Sequence, residues 1–481
     1  MVNKSCISVF MLQAPRQNRC TMAKKPTLNP AAIDVFKARF GDKKIFSQAL
    51  MPVRGDKGFR KLDYEFAKTL DADAIIKKCR DNGFNAFGLV VKDTDGATLS
   101  DTKVGWNPTG VDSARHFEEA CQRYGMFYIL SVTNMNDAYR GAVHPESVSI
   151  HIKSGKPSTH KEGEMRVDIP PGKDLATMQK LIPFLTDEKE EIAGKSRGAR
   201  GVGYIPTTSF HCPRSEHVDY MISLVKELVR KYHVDGVFAD YIRYDGSYTD
   251  LCGCHRCKEG FAEKYPGKKM GRGKEWYDFK EDNIAEYGRK FNAAIKEVDP
   301  NVITGWFNLP GPKIFTRNRI AQNYTKLGAA LDVPVPMVYP YLMGTADDGR
   351  KWRLLADLVH WFSQLTMGMR FHEYGKDKPV LVITNSAECN AEELLMQCNT
   401  YDYGLGIAVF LYHGTTEQQW AACKLYGELL AKQRAGDPAP SNAEIRAILM
   451  QVYKTHPPKD PRFLKWKPAK AETIDSINKG E

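Results

Sequence analysis

The chain has 481 residues, of which 42% are hydrophobic, and a formal net charge of +11. This composition supports a substantial core and excludes a disordered protein. No apolar run approaches the roughly 18 residues that a membrane span needs. The basic residues are spread along the chain without the Lys/Arg blocks typical of nucleic-acid binding. We therefore expect no membrane span and no nucleic-acid partner. A solvated basic surface accounts for the charge, and a preference for an anionic glycan is the alternative.

Residues 1–41 are predicted to form a poorly ordered N-terminal extension. Lys4 precedes a short apolar run at residues 7–12, but a secretory signal requires a longer apolar core and a small-residue cleavage site. Met22 opens a second plausible start. Eleven cysteines are scattered along the chain and do not resemble a small disulfide framework. A cytoplasmic location is favoured over secretion, and the compartment stays open.

One pattern recurs over residues 42–431, where short β-branched or aromatic runs alternate with amphipathic helical stretches. The predicted strands are residues 45–53, 84–91, 126–133, 236–239, 302–307, 333–339, 380–384 and 406–412. The clearest helices between them are residues 71–80, 113–124, 216–232 and 279–298, and Gly125 is predicted to end the second of these. Eight strands in strict alternation with helices predict a single (β/α)₈ TIM barrel of the α/β class.

Two insertions and a tail interrupt or extend this pattern. The first insertion, residues 136–200, is rich in Gly, Pro, Lys and Glu, and residues 175–185 could be helical. It follows strand three at the end where barrel enzymes carry active-site loops, so it is either a lid or substrate wall or a decorative insertion. The second, residues 246–273, carries cysteines. Residues 432–481 are predicted to be a C-terminal extension with one helix at 442–453.

Strand four carries the sharpest signal for chemistry. The run VDGVFADYIRYD places Asp240 directly after a buried strand. A carboxylate at such a position costs free energy unless it is paired or functional. Arg243 or Lys92 could pair with it and hold it ionised. We therefore expect Asp240 to be a catalytic or substrate-gripping carboxylate, with a structural Asp–Arg ion pair as the alternative.

Several runs, in order, resemble one group of proteins. They are GFNAFGLVVKDTDG, FHCPRSEHVD, HVDYMISLVKELVRKYH, VDGVFADYIRYD, DVPVPMVYPY and YDYGLGIAVFLYHGTTEQQW. Together they resemble the hypothetical glycosyl hydrolases, glycoside-hydrolase-like barrels related to the amylase and α-galactosidase superfamilies. The resemblance spans roughly residues 42–431. It implies a carbohydrate substrate and makes Asp240 the leading catalytic residue.

Glycoside hydrolysis usually needs a second carboxyl group. The related superfamilies carry it on strand five or strand six, whereas here these strands end in WFN and YPY. Among the acids that follow other strands, Glu388 and Asp93 are our first candidates, ahead of Asp95, Asp245 and Glu417. Glu388 could instead stabilise the helix that follows it, and Asp93 could be a structural partner of a nearby cation. The missing acid also leaves open a glycan-binding barrel without catalysis.

Other side chains at the strand ends could contact a sugar. Aromatic rings suit the apolar faces of sugars, amides and imidazoles suit their hydroxyls, and cations could tune the charge of Asp240. The predicted substrate-binding residues are Lys92, Tyr241, Arg243, Trp306, Asn308, Tyr339, Tyr341, Asn385 and His413. The alternative for the aromatic residues is that they fill the barrel mouth.

The second insertion holds Cys252, Cys254 and Cys257 within six residues. Either Cys212 or His211 could approach them and complete four tetrahedral ligands for a structural Zn²⁺. This cluster also occurs in some of the resembling barrels. A disulfide and free thiols are the alternatives. No HExxH, Walker A or GxSxG motif is present, and no cofactor is required for the predicted reaction. A metal-assisted hydrolase that uses the histidines is a third functional hypothesis.

Overall fold

The structure is a computed structural model that describes residues 33–51, 61–62, 64–160, 165–168, 176, 202–205, 208–246, 248–310, 316–339, 374, 379–386 and 389–457. Eight strands form its central sheet. They are β1 (Ile45–Leu50), β2 (Ala86–Lys92), β3 (Phe127–Thr133), β4 (Gly236–Asp240), β5 (Ile303–Asn308), β6 (Val333–Pro336), β7 (Val382–Asn385) and β8 (Gly406–Phe410). All eight were predicted from sequence, with ends that differ by a few residues.

The sheet is parallel and closes into a barrel. Its strand order is β6-β5-β4-β3-β2-β1-β8-β7. The two ends of this order meet through a parallel bridge between Met337 and Ile383. The Val338 N–H also donates to the Ile383 carbonyl at 2.9 Å. The predicted (β/α)₈ barrel is therefore confirmed.

Twelve helices are described, and several of them follow the barrel strands in the alternation that the sequence predicted. They are α1 (Asp34–Phe40), α2 (Tyr64–Lys68), α3 (Ala72–Asp81), α4 (Ser113–Tyr124), α5 (Ala138–Val143), α6 (His217–Lys231), α7 (His255–Lys264), α8 (Lys274–Val298), α9 (Tyr324–Ala330), α10 (Ala391–Tyr401), α11 (Glu417–Leu430) and α12 (Asn442–Thr455). Asp112 caps the N-terminus of α4 by accepting the Arg115 N–H, and Gly125 ends the helix with φ 63°. The predicted end of this helix is confirmed, because that left-handed backbone favours glycine.

The barrel interior is filled by alternate residues of the strands. Ile45, Ala86, Ile129, Phe238 and Ile303 belong to one buried apolar cluster, together with side chains from the remaining strands. A Cβ on Gly305 would lie 2.6 Å from the Phe238 ring. The absence of a side chain at Gly305 therefore makes room for the Phe238 ring.

Helix α1 lies within the segment that we expected to be a poorly ordered extension. Its Phe36 and Phe40 are almost fully buried and belong to the barrel's interior cluster. The Phe40 ring packs edge-on against Phe127 at the start of β3, with centroids 5.1 Å apart. Helix α1 therefore packs against the N-terminal end of the barrel, opposite the strand ends that carry the polar residues.

Much of the first insertion lies outside the described residues, including nearly all of the predicted helix at 175–185. Its described parts include α5 and two short antiparallel pairs, one of Thr159–His160 with Thr208–Ser209 and one of Met165–Asp168 with Val202–Ile205. Contacts divide the chain into a unit of Thr27–Met450, which contains the barrel, and a second unit of Met1–Pro26 and Gln451–Glu481. None of the helices in the described part combines the length and apolar character needed to cross a membrane.

Candidate active site and cysteine cluster

Two carboxyl groups occupy neighbouring positions at the C-terminal mouth of the barrel. Asp240 ends β4, Asp93 follows β2, and β3 lies between these strands. The Asp240 Oδ1 accepts the N–H of Tyr241 at 2.6 Å, and the Asp93 Oδ1 accepts the N–H of Thr94 at 2.6 Å. The other oxygen of Asp93 is buried and has no hydrogen-bond partner. Each carboxyl thus accepts one backbone N–H, and the second oxygen of Asp93 accepts no hydrogen bond.

The two carboxyls act on each other electrostatically. Burial raises the pKa of Asp93 to about 6, and the nearby charge of Asp240 contributes to this rise. Burial also raises the pKa of Asp240, but the Arg243 guanidinium and the Tyr241 N–H oppose that rise. Both carboxyls therefore hold their protons to higher pH than an ordinary aspartate does.

Arg243 and Tyr241 form the wall beside Asp240. Tyr241 adopts φ 49°, in the left-handed region, and the Arg243 guanidinium lies over its ring, 4.3 Å from the centroid. The Phe210 ring lies 6.0 Å from the ring of Tyr241. The described residues contain no ion pair between Asp240 and Arg243, so the guanidinium acts on the carboxyl through space. A residue other than glycine with a left-handed backbone, such as Tyr241, is uncommon and is often found at functional sites.

Lys92 is fully buried beneath the mouth. Its ammonium lies 3.0 Å from the Asp137 carboxylate and donates to the Thr133 carbonyl at 3.1 Å. The register of β2 against β3 shifts between Val90 and Lys92, which turns the Lys92 side chain toward this partner. Sequence reasoning did not find Asp137. It stands at the start of the first insertion, and the only signal was the polar run that follows β3.

A buried polar layer supports the backbone of Asp240. The N–H and the side-chain amide of Asn134 both donate to the Asp240 carbonyl, at 2.9 and 2.8 Å. The Tyr287 hydroxyl donates to the Asn134 Oδ1, and the His217 Nε2 donates to the Asn134 carbonyl at 2.7 Å. Asn134 therefore joins the end of β3 to the end of β4 and to helix α8.

Two histidines belong to this layer and stay neutral. The rings of His211 and His217 stack with centroids 3.8 Å apart. Burial lowers the pKa of His211 to about 4 and lowers the pKa of His217 well below its usual value. The His211 Nε2 donates to the Asp137 carbonyl at 2.9 Å. Both rings thus serve buried backbone groups, and the described residues hold no open His/Asp cluster of the kind that a metal-assisted hydrolase would need.

The remaining predicted sugar contacts lie in different settings. Trp306 is fully buried, and its ring approaches Gly328 of α9 and the ring of Tyr374. Strand alternation therefore turns Trp306 toward the helical layer and away from the barrel axis. Asn308 is fully buried, and both polar atoms of its amide lack partners.

Three further candidates lie near the ends of the last strands. Tyr339 stacks on Phe410 with ring centroids 6.0 Å apart. Asn385 is buried at the end of β7. His413 packs edge-on against Phe66 and Tyr412. Glu388 and Tyr341 lie outside the described residues.

The four predicted cysteines come together in one buried cluster. The sulfurs of Cys212, Cys252, Cys254 and Cys257 all lie within 4.8 Å of one another. Cys212 lies 3.6 Å from Cys254 and 3.5 Å from Cys257. Tetrahedral zinc with Zn–S bonds of about 2.3 Å separates its sulfurs by about 3.8 Å, so these spacings suit a metal. A disulfide requires about 2.05 Å, and all four cysteines are free.

The surroundings of the cluster also suit thiolates. The N–H of Ile150 donates to the Cys252 sulfur at 3.3 Å, and the N–H of Arg214 donates to the Cys212 sulfur at 3.4 Å. Cys254 is the N-cap of α7, so its thiolate would sit at the positive end of a helix. Cys212, and not His211, is the fourth member, because His211 is engaged with Asp137.

Comparison with a family model agrees with the resemblance found in the sequence. The family model described as Glycosyl hydrolase-like 10 matches residues 179–332, roughly a third of the chain, and this stretch includes β4, β5 and the four clustered cysteines. The resemblance to glycoside-hydrolase-like barrels predicted from sequence is thereby confirmed. No curated protein matches the sequence.

The chain is similar in fold to several solved glycosidase structures. The glycoside hydrolase domain of PgaB (BpsB) from Bordetella bronchiseptica is 12% identical with a TM-score of 0.52, and the match covers 81% of this chain and 98% of that one. The β-galactosidase Gan42B from G. stearothermophilus is 12% identical with a TM-score of 0.53, covering 92% and 64%. α-L-Fucosidase isoenzyme 2 from Paenibacillus thiaminolyticus is 11% identical with a TM-score of 0.50, covering 81% and 50%. The chain thus spans about half the length of that fucosidase, and these likenesses establish a TIM-barrel fold.

Proposed function

We propose that this chain is a glycosidase that hydrolyses an oligo- or polysaccharide, with Asp240 and Asp93 as its two catalytic carboxyls. The observation that carries the proposal is the pair itself, in which the buried Asp93 carboxyl and the half-buried Asp240 carboxyl, both with raised pKa values, lie at the mouth of the barrel. Barrel enzymes place catalysis at this end. The family match and the glycosidase folds support the same reaction class.

The surroundings of the two carboxyls assign the roles. Asp93, with a pKa of about 6 and one unpartnered oxygen, is the general acid that gives its proton to the glycosidic oxygen as the C–O bond breaks. Asp240 faces the Arg243 guanidinium, which favours its ionised form. It acts on the anomeric carbon directly as the nucleophile or takes a proton from the attacking water as the base. Glu388 remains the other candidate for the acid.

The supporting residues divide into two groups. Lys92 and Asn134 are positioning residues, because the first holds Asp137 and Thr133 while the second holds the Asp240 carbonyl. The sugar is contacted by Tyr241, Arg243, Asn308, Tyr339, Tyr341, Asn385 and His413. Trp306 was also predicted to contact the sugar, but its ring packs against the helical layer.

A glycan-binding barrel without catalysis is the second candidate. The observation that favours it is the lack of an acid on β5 and β6, which read ITGWFN and VPVP. In this alternative the carboxyl pair would accept hydrogen bonds from sugar hydroxyls without transferring a proton.

Hydrolysis distinguishes the two functions. The wild type, Asp240→Asn and Asp93→Asn are incubated with a panel of neutral and acidic oligo- and polysaccharides, and new reducing ends are measured. Asp219→Asn, an exposed acid on α6, is the matched control. We expect release by the wild type and the control alone. The absence of release by all four proteins, with glycan binding retained, would contradict hydrolysis and favour the binder.

We also propose that Cys212, Cys252, Cys254 and Cys257 hold a structural Zn²⁺. Four buried sulfurs at tetrahedral spacing, two of which accept backbone N–H donors, support this ligand set. Four protein ligands fill the coordination shell of zinc, so the metal would have no position for substrate and would stabilise the loop without taking part in the reaction.

A further inference from the structure

A buried amide beside the mouth of the barrel has no hydrogen-bond partner. Asn136 follows the end of β3, and its side chain is fully buried. Neither the oxygen nor the nitrogen of its amide forms a hydrogen bond with any described residue. A buried polar group without a partner costs free energy, and most buried amides are therefore paired. The unpaired amide of Asn136 thus requires an explanation.

The backbone places this amide between the two candidate catalytic carboxyls. The residue before Asn136 donates its N–H to the Tyr241 carbonyl at 3.1 Å, one position after Asp240. The second residue after Asn136 donates its N–H to the Thr94 carbonyl at 3.0 Å, one position after Asp93. Asn136 therefore stands between the chain segments that carry the two carboxyls.

An aromatic ring and a second unpaired polar group lie beside the amide. Asn136 pairs with Phe210 in an antiparallel bridge, and Val148 pairs with His211 in the same way. Ser149 therefore lies opposite Phe210, and its N–H donates to the Phe210 carbonyl at 2.7 Å. The Ser149 hydroxyl is buried and has no partner in the described part of the chain. Since paired residues direct their side chains to the same face, the amide and the hydroxyl flank the Phe210 ring.

Arg243 borders this group on the side of Asp240. Its guanidinium lies 5.9 Å from the centroid of the Phe210 ring and 4.3 Å from that of Tyr241. Its Nε is buried and forms no hydrogen bond with the residues that the structure describes. The Arg243 and Tyr241 side chains are half-buried, so the group adjoins the part of the mouth that water reaches. Three unpaired polar groups thus surround one aromatic ring, as in pockets whose polar groups a ligand completes.

We propose that Asn136, Ser149 and Arg243 bind an uncharged hydroxyl group of the sugar at the bond to be cleaved, with the carbon that bears it against Phe210. A hydroxyl both donates and accepts hydrogen bonds. It can accept from the Asn136 Nδ2 and the Arg243 Nε while it donates to the Asn136 Oδ1. The Ser149 hydroxyl can take either role.

The same inventory disfavours an acidic sugar in this position. A carboxylate only accepts hydrogen bonds, so it would leave the Asn136 Oδ1 unpaired. It would also lie near the Asp240 carboxyl, whose negative charge would repel it. This pocket rests on the proposed function, because it belongs to the same site. It makes the substrate a glycan with a neutral sugar at the bond to be cleaved.

Binding tests the pocket independently of hydrolysis. The parent protein is Asp240→Asn, to which Asn136→Leu or Ser149→Ala is added. Isothermal titration calorimetry measures the affinity for neutral oligosaccharides of glucose, galactose, mannose and N-acetylglucosamine and for oligosaccharides of galacturonic acid. Asn301→Leu, the same change at an exposed asparagine before β5, is the control. We expect the parent and the control to bind a neutral oligosaccharide equally, and the other two variants to bind it roughly threefold to tenfold more weakly.

Thermal unfolding separates a binding role of the amide from a structural one. The Asn136 amide has no partner in the free protein, so an apolar side chain of similar shape removes a cost of burial. Asn136→Leu should therefore keep or raise the Tm while it weakens binding. A structural amide would show a lower Tm instead.

Equal binding by the parent and both variants would overturn the pocket, and so would a Tm of Asn136→Leu several degrees below that of the parent. A parent that binds only the galacturonic acid oligosaccharides, or none at all, would also overturn it. Reducing-end release by the wild type is measured separately. The expected losses of binding without any release would contradict the hydrolase alone, whereas release without those losses would contradict the pocket alone.

Discussion

Replacing Asp93 by asparagine should stabilise the protein at neutral pH. The pKa of Asp93 is raised from 3.8 to about 6, with burial as the main cause. A folded-state pKa above the unfolded value means that the folded protein binds the proton more tightly. Stability is therefore full below about pH 4, decreases as the pH rises toward 6, and stays lower above it.

The size of the effect follows from the same values. A rise from 3.8 to about 6, at about 1.4 kcal/mol per pH unit, corresponds to about 3 kcal/mol of lost stability. The amide introduced by Asp93→Asn carries no charge at any pH, so the variant would escape this loss. The free energy of unfolding of the variant relative to wild type should rise by up to about 3 kcal/mol between pH 4 and 7.

Urea unfolding followed by circular dichroism at a series of pH values measures this difference. The Asp219→Asn control, at an exposed position, should show no comparable rise between pH 4 and 7. A difference between wild type and Asp93→Asn that stays constant over this range would refute the reasoning. It would mean that Asp93 titrates as an ordinary carboxyl and is unsuited to be the acid.

Three further predictions follow from the site. The kcat/KM of the wild type should decrease as the pH rises through about 6, because Asp93 then loses the proton that it must donate; a pH profile flat from 5 to 8 would contradict this role. Asn134→Ala should lower kcat more than it changes KM and should lower the Tm, because it removes the side-chain amide that donates to the Asp240 carbonyl. Tyr287→Phe, which removes the hydroxyl that donates to Asn134, should have a smaller effect on kcat and Tm. Cys257→Ser should reduce the zinc content of the purified protein from one ion per chain, measured by mass spectrometry of the metal; a wild type without zinc would contradict the metal site.

The barrel could be predicted from sequence because its signal is local. Each strand is a short β-branched or aromatic run, and Gly236–Asp240 matched its predicted position to within one residue. Helix α1 was missed because its seven residues lack a side-chain N-cap and bury only two large apolar residues, Phe36 and Phe40. Their burial depends on the barrel being closed, which no local pattern reveals.

The site could be predicted only in part, because the partners of its residues are distant in sequence. Cys212 was a candidate beside three cysteines that lie forty or more residues further on, and the fold brings all four together. Lys92 was expected to face Asp240 or the substrate, yet its ammonium pairs with Asp137 beneath the mouth. The sequence shows that a cation follows β2 but does not show the shift of register that turns it inward.

The way the barrel closes has a consequence for its motions. Neighbouring strands elsewhere share ladders of four or more register pairs. Among the described residues, β6 and β7 share one bridge, Met337 with Ile383, and two backbone hydrogen bonds, from the Val338 N–H to the Ile383 carbonyl and from the Leu381 N–H to the Pro334 carbonyl. Local opening occurs where the fewest backbone hydrogen bonds must break, so the cylinder has a seam between these two strands. Tyr339 and Asn385 follow the two strands of that seam. We therefore expect local opening of the mouth to begin on their side, while the ladders that hold Asp93 and Asp240 stay intact.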